Sequence, residues 1–284
     1  MIKRLKNALE IRLFPTKWFV KKTFYKKTGK KLDLNNPETF SEKIQWLKLY
    51  YKSPLLTRLA DKYESKNYVK EKIGDKYVIP THSLYSSYDQ LSIENLPDQF
   101  ILKATHGSGW NLLCLKKKEH SNREIQNFAK FWLKKSYYLG SKEWAYKNVP
   151  RRIICEELLF DEKGDLPKDY KVFCFHGKPK FIQVDHDRFA NHTRSFYDED
   201  WNYQNFTVGY PIYDKTIPKP DSLDEILNIA SLLSADLPFL RVDMYIIGED
   251  IKIGELTCYP GNGMEIFSDS KWDKYFGEQI KISE

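Results

Sequence analysis

Arg241-Val242-Asp243-Met244-Tyr245 is followed, twelve residues after Asp243, by Glu255-Leu256-Thr257 and then by Pro260-Gly261-Asn262-Gly263. Two short apolar runs, Phe239 to Ile247 and Ile251 to Thr257, are separated by a turn at Gly248-Glu249-Asp250. This pattern predicts a β-hairpin carrying one acid on each strand. Asp243 stands between Val242 and Met244, and Glu255 between Gly254 and Leu256. Carboxylates within apolar strands are costly unless something positive neutralises them. A hard divalent cation shared with phosphate oxygens would do so, and a rim of ordinary salt bridges is the plain alternative.

Outward from that hairpin, 284 residues suffice for a substantial core in one large domain or in two or three subdomains. No apolar run approaches the roughly 20 residues of a membrane-spanning helix. The cationic N-terminus lacks the clean apolar stretch and small-residue cleavage site of a secretory signal. Cys114, Cys155, Cys174 and Cys258 stand far apart in apolar segments without CxxC spacing. They read as buried thiols of a reducing cytoplasm, not as disulfides or zinc ligands.

Charge is unevenly placed. Residues 1–31 hold eleven Lys or Arg against the single acid Glu10, a net of +10. The whole chain is +7, which leaves residues 32–284 at −3. Leu5, Leu9, Leu13, Trp18, Phe19 and Phe24 are interleaved with these cations, partly at helical spacing. Such a segment suits a membrane surface or an anionic polymer, or a helix packed on the body with its lysines in water. Nucleic acid is disfavoured, because the rest of the chain has no basic stripe.

Residues 1–75 read as mostly helical. Thr39 or Ser41 is an N-cap for the segment Ile44 to Tyr50, and a second helix is expected from Leu55 to about Lys72. Strands are expected near Tyr77 to Pro80, at Phe100 to Ala104, at Leu112 to Leu115 and at Arg152 to Glu157, with a helix from Ser121 to Tyr138. From residue 169 hairpins follow: Tyr170 to His176 and Lys180 to Val184 flank a turn at His176-Gly177-Lys178-Pro179. A helix from Ser222 to Leu233 precedes the closing hairpin. Strands and helices in this order predict an α+β fold.

Lys103 ends an apolar strand that runs into His106-Gly107-Ser108-Gly109-Trp110. Glycines on either side of a serine let backbone N–H groups approach a phosphate, and the lysine adds a point charge. GxxxxGK[ST] is absent, so this is not a P-loop. Glu156 and Glu157 close another apolar strand, where a carboxylate could take an amino group or a ribose hydroxyl. Asp169 and Lys171 point to one face of the next strand, to hold ribose and phosphate or to pair with each other. Arg188 and Arg194 could clamp an anionic substrate or equally stand as solvated loop charges. His106 and His176, each beside a glycine turn, read as structural or substrate-facing. Asp185-His186-Asp187 and Asp198-Glu199-Asp200 match the DxD of metal-dependent glycosyltransferases only superficially.

Taken in order, these pieces resemble the ATP-grasp superfamily, and within it the TupA-like (teichuronopeptide biosynthesis) branch found with bacterial capsule genes. The likeness runs from Thr39-Phe40-Ser41-Glu42-Lys43-Ile44-Gln45-Trp46 through Asp61-Lys62-Tyr63 to Tyr259-Pro260-Gly261. D-alanine–D-alanine ligases show a similar succession: a DK pair, a VK strand with a small-residue loop, an EE hinge, RxD, then ExN and PG. The resemblance implies two α+β subdomains gripping ATP between them, at 76–152 and 153–284, behind a basic helical region at 1–75. It implies that Lys62 and Lys103 contact ATP phosphates under a loop of Gly107, Ser108 and Gly109. Glu156, Glu157 and Leu159 would line the adenine and ribose end, with Asp169 on ribose and Lys171 on the phosphate side. Asp243 and Glu255 would hold Mg²⁺, with Thr257 in place of the usual asparagine, and Arg241 would stabilise a reacting acyl phosphate.

Implied in turn is a cytoplasmic carboxylate–amine ligase. It would join an amino acid or other amine to a uronic acid carboxylate of a capsular or lipid-linked glycan, with peripheral membrane contact through the N-terminus. The competing readings are a metal-dependent glycosyltransferase of capsule synthesis, an ATP-grasp phosphotransferase acting on a sugar, and a non-catalytic polysaccharide-binding module.

Overall fold

The computed structural model describes residues 15–187, 191–213 and 215–282. Its N-terminal region comprises helices α1 (Thr16–Thr28), α2 (Phe40–Tyr50), α3 (Pro54–Ala60) and α4 (Glu64–Ile73). Thr39 is the cap of α2: its hydroxyl accepts from the Glu42 amide while the Glu42 carboxylate accepts from the Thr39 amide. Two amides without an intrahelical partner are thereby satisfied. Ser41, the other candidate, instead donates its hydroxyl to Asp273 at 3.0 Å.

The single helix expected from Leu55 to about Lys72 is broken at Asp61-Lys62-Tyr63. Asp61 is extended there, accepts the Tyr63 amide at 3.0 Å and takes Arg152 Nη2 at 2.6 Å. Lys62 N donates to Thr105 O at 3.2 Å. Leu59 before the break and Tyr68 after it are both buried, although nine residues along one continuous helix would set them on opposite sides. The strand expected near Tyr77 begins later, as β1 (Thr81–Tyr85). Pro80 has no N–H to give a ladder, and its carbonyl instead accepts the Glu157 amide at 3.1 Å.

β1 joins β2 (Phe100–Ala104), β3 (Asn111–Cys114) and β4 (Ile153–Glu156) in an antiparallel sheet of order β1-β4-β2-β3. Helix α5 (Asn122–Lys134) covers it with Ile125, Ala129 and Trp132 against Phe100, Leu102 and Cys114, and the short α6 (Tyr137–Ser141) follows. β4 pairs with β1 and β2, so the change of sheet falls after Glu156.

The second sheet contains β5 (Asp169–Phe175), β6 (Lys178–His186), β7 (Thr193–Asp198), β8 (Tyr203–Gln204), β9 (Phe239–Ile247) and β10 (Asp250–Thr257). Its order is β10-β9-β5-β6-β7-β8, again antiparallel. Helix α7 (Leu223–Ser234) covers one face with Leu223, Ile226, Ile229, Ala230 and Leu233, at the spacing of an apolar stripe. On the opposite face, one end is aromatic. Phe40 of α2 and Phe276 of α8 (Ser270–Glu278) pack there on Phe173 and Phe175, and Phe40 also meets Phe239 at 5.1 Å. The other end of that face is charged. All four cysteines are buried and unpaired, as the sequence predicts.

Helices α2 and α8 touch at Gly277, where a Cβ would meet Phe40 N at 2.7 Å as well as the Glu38 carbonyl. Both obstacles are backbone and cannot turn aside. Gly277→Ala is expected to destabilise the chain by about 3 kcal/mol, read as a lower denaturant midpoint at unchanged slope.

Candidate active site

Lys62 at the α3–α4 break, Lys66 on α4, Lys103 on β2, Glu156 at the end of β4 and Glu255 on β10 line one cleft. Val69, Val78, Ile253 and Leu256 form its apolar wall, and its open space is about 340 Å³. Glu156 is gripped from both sides, by Lys103 Nζ at 2.5 Å and Lys66 Nζ at 2.8 Å. Lys62 Nζ lies 3.1 Å from Glu255 Oε1. Three cations meet two carboxylates, so the cleft keeps a positive surplus that suits an anion.

Burial alone would push the Glu156 carboxyl up, but Lys103 and Lys66 outweigh it and hold it at about 2, against an ordinary 4.5. The unfolded chain then takes up this proton first as pH falls. The stability contributed by Glu156 is present above about 4.5 and is lost between there and about 2. Glu156→Gln also strands two buried ammonium groups, and should cost about 3 kcal/mol at neutral pH. It should flatten the acid limb of stability, as measured by denaturant titrations across pH.

Directly opposed residues of antiparallel strands share a face. The register across β10, β9, β5 and β6 therefore lines up Glu255, Asp243, Lys171 and Gln183. The first of these pairings depends on a bulge. Up to Ile253 the ladder pairs Ile253 with Met244, and regular continuation would set Glu255 against Val242, on the other face. The register slips at Gly254, which brings Glu255 opposite Asp243. Glycine is required there because a Cβ would sit 2.8 Å from the Tyr245 ring.

Asp243 is bound by Arg241 through two parallel bonds, Nε to Oδ1 at 2.7 Å and Nη2 to Oδ2 at 2.6 Å, the bidentate geometry of a strong pair. Arg241 Nη2 also reaches Thr257 Oγ1 at 3.4 Å. Lys171 ion-pairs with Asp169, with Asp185 at 3.2 Å and with Asp243 at 3.8 Å. Burial raises the Asp185 carboxyl, but Lys171 and Arg194 overcome that and keep it well below the carboxylate range. Among the described residues no group of three or more His, Cys, Asp or Glu could hold a metal. The oxygen donors that face one another are Asp243, Glu255 and the Thr257 hydroxyl. Two carboxylates and a hydroxyl suit a hard cation completed by phosphate and water oxygens, which here would have to take Asp243 and Thr257 from Arg241 and Glu255 from Lys62.

The remaining expected positions are dispersed around this centre. Gly107, Ser108 and Gly109 form the tip of the β2–β3 turn, with Gly107 buried and the other two exposed. A Cβ at Gly107 would strike the Trp110 ring at 2.6 Å. Glu157 is exposed and Leu159 half-buried just beyond β4, and neither lines the cleft. Arg194 spends its donors on Asp185 at 2.8 Å, Val208 O at 2.5 Å and Glu265 at 3.0 Å, a buried knot at the far side of the charged row. Arg188 lies outside the described residues. His106 bonds Trp132 O at 3.1 Å, and His176 accepts the Lys281 amide at 2.9 Å, so both hold backbone.

Three residues escaped the reading of the sequence. Lys66 follows Lys62 by four positions, a spacing that sets both on one side of a helical segment. Lys48 and Glu143 are buried close to the cleft, with Lys48 Nζ donating to Asn262 Oδ1 at 2.6 Å. Burial lowers the Lys48 ammonium and raises the Glu143 carboxyl. The signal was present: Gln45 and Lys48 interrupt the buried face of α2 at a three-residue interval.

A smaller antiparallel sheet set against a larger one, with lysines from both a helix and the small sheet converging between them, defines an ATP-grasp protein. The chain belongs to the TupA-like ATP-grasp family, whose family model matches residues 42–281. Similar solved structures include the ATP-grasp ligase PsnB complexed with minimal precursor, at 11% identity and TM-score 0.43, covering 73% of this chain and 54% of that one. D-alanine–D-alanine ligase from Bacillus anthracis is 15% identical at TM-score 0.41, covering 72% and 57%. The ligase of the same name from Helicobacter pylori is 15% identical at TM-score 0.44, covering 86% and 67%. The chain thus spans little more than half the length of PsnB and of the B. anthracis enzyme. No curated protein matches it.

Proposed function

We propose that this chain is an ATP-dependent carboxylate–amine ligase. It would form an amide between an amino acid or other amine and a uronic acid carboxylate of a capsular or other surface polysaccharide, through an acyl phosphate. The observation that carries the reading is the convergence of Lys62, Lys66 and Lys103 on a cleft lined by Glu255, which the strand register pairs with Asp243. Membership of the ATP-grasp family supports the nucleotide. The acceptor rests on the TupA-like branch alone.

On this reading Lys103 and Lys62 bind the phosphates, and Gly107, Ser108 and Gly109 close over them to exclude water. Glu156, fully engaged by Lys66 and Lys103, acts by fixing those ammonium groups. Glu157 and Leu159 edge the adenine end, and Asp169 and Lys171 flank the sugar and phosphate side. Asp243, Glu255 and Thr257 would hold Mg²⁺, which when bound offsets charge on the transferring phosphoryl group. Arg241 then faces the acyl phosphate. Arg188 and Arg194 remain the proposed contacts for an anionic acceptor, Arg194 only if its bonds to Asp185 and Glu265 loosen. A cytoplasmic site of action agrees with the buried free thiols. Among the described residues no helix is long and apolar enough to cross a membrane.

The test is product stoichiometry with uronic acid acceptors and amino acid donors. Equal release of ADP and free phosphate, requiring both acceptor and amine, is the expected result. ADP without free phosphate would assign a sugar phosphotransferase instead, and sugar transfer from a nucleotide sugar would assign a glycosyltransferase.

A further inference from the structure

The basic N-terminal segment is not used by the ligase chemistry, and its described part is an ordered helix. Between residues 16 and 31 there are seven lysines and no acid. Val20 and Phe24 turn inward and pack with Leu32 and Leu34 against Trp46, Leu49 and Met264. That fixes which side of α1 faces out. Trp18 and Tyr25, seven positions apart and so two turns along one side, are 40% and 64% exposed. At 100° per residue they run down the middle of the outward face, with Lys17 and Lys21 on one flank and Lys22 and Lys26 on the other. Those four lysines are all exposed.

We propose that α1 docks the protein on an acidic lipid surface, with Trp18 and Tyr25 entering the interface and the flanking lysines on the headgroups. Indole and phenol rings, apolar in body and polar at one end, suit the headgroup level of a bilayer. Lysines beside them are attracted to anionic lipid, and their stems reach along the apolar boundary. Charge complementarity and a pair of interfacial rings flanked by lysines favour lipid over a glycan chain. The helix is seated on Met264 and on α2, elements that also carry Lys48 and the Asn262 turn beside the cleft. Docking would therefore bring that end of the cleft toward an acceptor held in the membrane.

The experiment is co-sedimentation of the full chain with vesicles of phosphatidylcholine alone or mixed with phosphatidylglycerol. Binding is expected to the mixed vesicles only, and to weaken with salt. Replacing Lys17, Lys21 and Lys26 together by Glu should cost about a hundredfold in affinity. Trp18→Ala with Tyr25→Ala should cost about tenfold on the same vesicles. Circular dichroism checks that both variants stay folded. Equal binding to neutral vesicles, insensitivity to both variants, or binding to soluble polyglucuronate with none to vesicles would each overturn the proposal. Vesicle binding does not depend on turnover, so an inactive protein that still binds would count against the ligase reading alone.

Discussion

Lys103→Ala is expected to weaken Mg·ATP binding by roughly a hundredfold while the chain still folds. The size follows from the loss of a charge-assisted contact in a sheltered cleft, about 1.5–3 kcal/mol. Lys103 sits one residue from the end of β2, and its ammonium lies 2.5 Å from Glu156. Burial works against the charge, yet Glu156 holds the ammonium above its ordinary value, so it remains a cation at any physiological pH. Its removal leaves Glu156 to Lys66 alone, and a stability loss of about 3 kcal/mol should accompany the loss of affinity. Calorimetric titration with Mg·ATP beside a thermal melt separates the two. A folded variant with unchanged ATP affinity would remove Lys103 from the nucleotide site.

Glu255→Gln is expected to do the opposite: to leave folding and nucleotide affinity nearly intact and to lower turnover by roughly a thousandfold. The side chain is about one-third exposed on the cleft wall, so its loss opens no cavity. Glutamine keeps the shape and one acceptor oxygen but not the negative charge. That charge is well established here, because Lys62 and Arg241 overcome the effect of burial and hold the carboxyl at about 2. Asp187→Asn is the matched control. A glycosyltransferase using Asp185-His186-Asp187 would lose activity in the control and keep it in Glu255→Gln.

The closing hairpin, the β2 strand with its glycine turn and the β4 strand were legible because their local patterns coincide with the elements the chain forms. What the sequence hid was relative placement. Strand alternation alone puts Glu255 opposite Val242, and only the slip at Gly254 turns it toward Asp243. The break at Asp61-Lys62-Tyr63 was hidden because it carries no glycine or proline to mark it. It is made by Asp61 capping Tyr63 and meeting Arg152, which lies ninety-one positions away. The partners of Arg194 were hidden because Asp185 comes to it only when β6 and β7 pair, and Val208 and Glu265 reach it from segments further along the chain. Glu143 lacked a motif altogether and only burial marks it, whereas Lys48 left a trace as a polar interruption of the buried face of α2.

The account depends most on the claim that this cleft activates a glycan carboxylate. Mass spectrometry of the surface polysaccharide from cells carrying either the natural chain or Glu255→Gln tests it, whichever amine and sugar are joined. An amide-linked substituent present with the natural chain and missing with the variant is the predicted result. Identical polysaccharide from both would contradict it.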